Sequence, residues 1–88
     1  MSEQNTQKAQ MCDIGWAIKQ MWNGHKVFRT GWNGKNMWLA LQTPNDYSKM
    51  TLPYIYMSTV TGDLIPWLAS QTDLLATDWY VMSEVVNG

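Results

Sequence analysis

Apolar positions near the N-terminus recur at helical spacing: Ile14, Ala17, Ile18, Met21 and Trp22 fall on one face. Asp13 stands directly before this run, where its carboxylate can accept from the free N–H groups of a first turn. Asn23-Gly24 follows it, and Gly tolerates the left-handed conformation common just past a helix end. The spacing predicts a helix over 13–22. The period then shortens. Val27, Phe28 and Arg29 begin an extended stretch, Trp32-Asn33-Gly34-Lys35 reads as a tight hairpin turn, and Met37 to Leu41 is the returning strand. Gln42 to Lys49 holds Pro, Asn, Asp and Ser and is a loop. Tyr54 to Thr59 alternates and is rich in aromatic and branched residues, as a strand would be. Thr61-Gly62-Asp63 turns the chain into a short strand ending near Pro66. Ser70-Gln71-Thr72-Asp73 before Leu74-Leu75 has the form of a capping box, predicting a short helical turn near 71–76. Trp79 to Val85 is the last strand. The fold class is α+β: an N-terminal helix packed on antiparallel β-hairpins. Residues 1–10 are polar and read as a flexible lead, with 11–88 a single domain.

Composition alters this picture at one point. With 88 residues the chain is one small domain, marginally stable alone. Only 15% of it is charged, against about 25% in an average soluble domain. Six Trp and seven Met exceed what so small a core encloses. The surplus apolar surface predicts a homo-oligomer or a ligand groove. A net charge of −1 counts against polymeric nucleic acid, which requires a basic face. Cys12 is the sole cysteine, so no intrachain disulfide forms and a reducing compartment is expected. No apolar run approaches the ~20 residues of a membrane span, and Ser2 to Gln10 lacks the basic and apolar regions of a secretion signal.

Catalysis has few candidate groups. Cys12 and His25 flank the predicted helix, roughly 20 Å apart at about 1.5 Å rise per residue, too far for a nucleophile–base pair within one chain. One His and one Cys do not make a structural zinc site, so neither metal nor cofactor is expected. Asp73 and Asp78 are the remaining acid–base candidates, with Asp73 better explained as part of the helix cap. Trp16, Trp22, Trp38 and Trp79 lie in periodic segments and read as core or subunit contacts.

Two tryptophan segments have another character. Trp32 at its turn is either covered by a neighbouring subunit or the domain's own helix, or stacks on a purine, worth ~1–3 kcal/mol per base in nucleic-acid systems. Gly31 and Gly34 would permit close backbone approach, and Arg29 and Lys35 could face a phosphate. The second segment, Pro66-Trp67 through Ser70-Gln71-Thr72-Asp73, joins a ring to a helix start whose N–H groups attract anions. Ser70, Gln71 and Thr72 add groups suited to ribose and base edges. Neither segment contains an obvious means of breaking a bond.

In order along the chain, the Arg-x-Gly-Trp-Asn-Gly-Lys turn, Leu52-Pro53-Tyr54-Ile55-x-Met57, a Thr-Gly-Asp turn, Pro66-Trp67-x-x-Ser70-Gln71-x-Asp73-Leu74-Leu75-Ala76 and a closing Asp78-Trp79 strand form a specific set. Over roughly residues 12 to 86 the chain resembles the second type of Thoeris anti-defence protein, a phage family. The resemblance implies a sponge in the cytoplasm of the infected bacterial host. Thoeris signals infection with a cyclic ADP-ribose isomer, which such proteins bind without hydrolysing it. Some relatives also sequester cyclic dinucleotides. It further implies a homotetramer with pockets where subunits meet. Carried over by motif, the ligand role falls on Trp32, Asn33, Gly34 and Lys35, and on Trp67, Ser70, Gln71 and Asp73, beside Arg29 and Thr72 from the residue reading. The segment Gln42 to Lys49 would alter which nucleotide fits if it borders the pocket.

Overall fold

The structure, a computed structural model, describes residues 12–82. The polar lead over 1–10 and the expected continuation of the last strand to Val85 lie outside the described residues.

Helix α1 spans Ile14–Trp22, with the Asp13 side chain accepting from the Trp16 N–H at 2.9 Å. Ala17 and Met21 are buried, and Ile14 and Ile18 pack beside them. The helix ends in a Schellman motif: His25 N–H donates to Gln20 O at 3.1 Å and Gly24 N–H to Met21 O at 3.0 Å. Gly24 takes φ +92°, the left-handed conformation this motif requires.

Five strands make one antiparallel sheet: β1 (Val27–Arg29), β2 (Trp38–Gln42), β3 (Tyr54–Ser58), β4 (Leu64–Pro66) and β5 (Trp79–Val81). Helix α2, Gln71–Leu75, stands between the last two. The spatial order is β4-β3-β2-β1-β5, so the C-terminal strand returns to the free edge of β1. Val27 pairs with Leu39 and Val81, Leu39 with Met57, and Met57 with Ile65. Directly opposite residues share a face, so these side chains form one apolar row across the sheet. Helix α1 lies on that face over β5, β1 and β2, and Ala17, Met21, Val27, Leu39 and Trp79 close the core. On the opposite face Phe28 stacks on Tyr80, and Trp38 meets Tyr56 edge-on, with Lys26 Nζ 4.3 Å from the Trp38 ring centre.

The α+β class, the capped first helix and the short second one agree with the sequence pattern. The connection between β1 and β2 does not. Instead of a tight Asn-Gly turn, the chain leaves the ladder after Arg29 and returns only at Trp38. Neither Asn33 nor Gly34 takes positive φ; Asn36 does, at φ +63°. The Asp78 side chain captures Gly31 N–H at 2.7 Å, which removes this segment from strand pairing. Gly34 has a packing reason instead, since a Cβ there would overlap Val60 Cγ2 and Met37 Sδ.

Because the helix stop depends on a left-handed residue with open space around it, Gly24→Ala should cost about 1 kcal/mol through backbone strain. A lower urea midpoint with an unchanged denaturant slope is the expected measurement.

Candidate functional site

Arg29, the last residue of β1, shares a sheet face with Val27 and points its guanidinium at two acids from the other end of the chain. Its Nε donates to Asp78 Oδ1 at 2.8 Å and its Nη1 to Asp73 Oδ1 at 2.9 Å. Asp73 is buried within the first turn of α2, where the sequence of Ser70 to Asp73 forms the predicted capping box. Ser70 Oγ accepts from Asp73 N–H at 3.0 Å, and Asp73 Oδ2 accepts from Ser70 N–H at 3.2 Å. The indole Nε1–H of Trp32 reaches the same carboxylate, 3.2 Å from Oδ1.

Trp79, fully buried, is the packing centre of this region. The rings of Trp32 and Trp67 meet it edge-on at 5.5 and 6.0 Å, with interplanar angles of 82° and 88°. Such T-shaped pairs contribute about 0.5–1.5 kcal/mol beyond area burial. Its own Nε1–H donates to Asp73 O at 3.3 Å. The two tryptophan segments, more than thirty residues apart, therefore meet at Asp73 and Trp79.

The electrostatics follow from these bonds. Burial pushes the Asp73 carboxyl up, but hydrogen bonds from Arg29, the Ser70 backbone and Trp32 outweigh it and leave the group below its ordinary value. The Arg29 hydrogen bond lowers Asp78 against weaker opposition from burial, with Gly31 N–H adding to the effect. Hydrogen bonding to Asp78 in turn raises Arg29, against burial and with help from Asp73. All three groups stay ionised across neutral pH. The sequence places Arg29 where it could face a phosphate; in the structure its guanidinium is held by two carboxylates, which compensate for its removal from water.

The other expected residues form an exposed fringe around this packed centre. Asn33 and Lys35 lie in the β1–β2 loop, and Ser70, Gln71 and Thr72 at the start of α2 are exposed. Gly34 is half-buried, facing Val60 and Met37. Trp32 and Trp67 are half-buried, and Trp67 extends beyond the cluster. It lines an open apolar groove of about 990 Å³ with Ile18 and Trp22 of α1, Leu41 of β2, and Ile55 and Ile65 of β3 and β4. Residues 50–53, the end of the loop between β2 and β3, also border it. The loop is shaped by Asn45, whose side chain accepts from Tyr47 N–H at 2.8 Å. Of the groove residues, Trp67 is a ligand candidate of the sequence and Trp22 a core or subunit contact; that Leu41, Ile55 and Ile65 join them in one groove has no sequence signal beyond the excess of apolar side chains. Among the described residues no group of three or more His, Cys, Asp or Glu is placed to hold a metal ion.

The family model of the Thoeris anti-defense 2-like domain matches residues 12–82, the whole region just described. The chain belongs to that family. It is 34% identical over 83 residues to Thoeris anti-defense 2 of Bacillus phage SP01, an alignment covering 80% of this chain and 93% of that protein. In this Thoeris anti-defense 2-like domain the matched region contains every candidate ligand residue, both tryptophan segments and the Arg29 cluster. Among its described residues no helix is long and apolar enough to cross a membrane.

Both depressed carboxylates stabilise the fold above the unfolded aspartate pKa of ~3.9, and that stability is lost as pH falls through their lower folded values. Urea midpoints should thus be level from about pH 8 to 5 and fall below about pH 4. Arg29→Met should cost about 2–4 kcal/mol, between the exposed and fully buried limits for an ion pair, and flatten that acid-side decline.

Proposed function

We infer that this protein acts in phage counter-defence against Thoeris by sequestering the system's nucleotide signal, a cyclic ADP-ribose isomer, without degrading it. Cyclic dinucleotides are a second ligand class that the same reading admits. Membership of the Thoeris anti-defense 2-like family supports the anti-Thoeris role. The observation that carries the capture mechanism is the meeting of the Trp32 loop with the start of α2 at Asp73. That contact joins the loop that carries Asn33 and Lys35 to the helix start that carries Ser70, Gln71 and Thr72, which supports assigning these exposed groups to the riboses, base edges and pyrophosphate of one ligand. With Arg29 held by acids, Lys35 is the cation of this fringe that would meet phosphate, and Gly34 and Asp73 shape the loop and the helix start.

A hydrolase reading would cast Asp73 or Asp78 as general acid, a role that calls for a carboxyl pKa raised toward neutrality. Both are lowered, which counts against the general-acid role for either of them. Capture alone needs affinity, and a nanomolar dissociation constant corresponds to about −12 kcal/mol.

The groove favours self-association. Trp22 is 59% exposed and Ile65 44%, and both line an apolar surface that a single protomer leaves open. A homotetramer, as the family resemblance implies, would cover this surface and set Trp67 at a subunit boundary. A cytoplasmic site of action in the infected host follows from where such a signal is made.

Incubation with cyclic ADP-ribose isomers and cyclic dinucleotides, then chromatography before and after heating, tests the function. One nucleotide should vanish from the free pool and return unaltered on denaturation; conversion to a new product would establish an enzyme instead. Lys35→Ala and Gln71→Ala should each weaken binding about tenfold or more, the scale of a charge-assisted or buried hydrogen bond, with unchanged melting temperature. Trp32→Ala is less informative, because its indole also packs on Trp79 and its loss should lower stability. Trp22→Glu should leave the protomer folded but shift light-scattering mass to smaller species; an unchanged mass would place the interface elsewhere.

A further inference from the structure

Asp78 bonds to three consecutive residues of the approach to Trp32. Its Oδ1 accepts from Arg29 Nε at 2.8 Å, and its Oδ2 accepts from Gly31 N–H at 2.7 Å and Thr30 Oγ1–H at 3.3 Å. Its backbone carbonyl accepts from Thr30 N–H at 3.1 Å. Gly31 makes room for this arrangement, since a Cβ there would stand 2.8 Å from Asp78 Oδ2 and 3.1 Å from Arg29 Nη2. The far side of the Arg29 fork continues to Asp73, which holds the Trp32 indole.

We propose that Asp78 is a positioning residue that presets the Thr30–Lys35 loop for its ligand through Gly31 and Arg29. This rests on the reading of that loop as part of the nucleotide site. Asp78 itself is turned toward the loop backbone and the guanidinium, with both of its oxygens engaged there. A loop already held in its bound shape loses little freedom on association, which is where preorganised sites gain affinity. When the loop is released, only a fraction of molecules is competent at any moment. Apparent affinity then falls by that fraction, through slower association, while the departure rate of bound ligand stays the same.

Two variants separate this role from a direct contact and from general destabilisation. Asp78→Asn keeps the size of the side chain and removes its charge; Gly31→Ala keeps every charge and pushes the carboxylate off the loop. In 15N spectra of ligand-free protein, each should abolish exchange protection of the Trp32 indole N–H while the buried Trp79 indole stays protected. Stopped-flow tryptophan fluorescence with the cyclic ADP-ribose isomer retained by the wild type should show association slowed about tenfold and dissociation within about twofold of wild type. A Trp32 indole unchanged in shift and exchange in folded Asp78→Asn or Gly31→Ala protein overturns the proposal. So does faster dissociation with unchanged association, the signature of a group touching the ligand. Should the wild type capture none of these nucleotides, the sponge reading fails, and the ligand-free indole spectra still decide what Asp78 does.

Discussion

A single guanidinium, wedged between two carboxylates drawn from the far end of the chain, determines how this small domain closes. Arg29 lies 44 residues from Asp73 and 49 from Asp78, and it touches both. The three groups are mostly removed from water, so each depends on the others: an unpartnered buried charge costs several kcal/mol. Removing the arginine would strand two acids, while removing either acid would free the loop or the helix start. Trp79 turns this ionic knot into a packed one, because its indole is anchored on the Asp73 carbonyl and two further tryptophans lean against it. The same cluster also joins β5 to β1, which completes the sheet at the edge opposite β4.

The division between holding and binding follows from that closure. Groups with internal partners (Arg29, Asp73, Asp78) keep their shape and charge fixed, and groups on the fringe remain available to a ligand. The half of the sheet that α1 does not cover explains the excess of apolar residues in so short a chain. Its groove meets the tryptophan cluster at Trp67, whose ring packs on Trp79. The loop ending at Pro53 borders the same groove and is placed to affect what fits there.

Much of the architecture was legible in local signals. Ile14, Ala17, Ile18 and Met21 mark the helix, Asp13 and Gly24 its ends, and Ser70 with Asp73 the second cap. These features involve residues within about five positions of each other, where backbone geometry and side-chain chemistry suffice. The Asn-Gly signal misled for a specific reason. It is a local turn preference, and the distant Asp78 carboxylate, bonded to Gly31 N–H at 2.7 Å, holds the chain out of the ladder. Of the candidate site, both tryptophan segments were identifiable in the sequence, whereas the pairing of Arg29 with Asp73 and Asp78 was not, because it joins residues more than forty positions apart.

Periodicity, capping residues and turn glycines specified from sequence alone which segments become helix and strand, and the motif order specified the family. Only the tertiary structure decided that β5 pairs with β1, that Arg29 serves two acids, and that Trp32 lies on Asp73. The reason is physical. Local rules act over a few bonds, whereas the destination of a charge depends on which opposite charges the finished fold brings within hydrogen-bond reach.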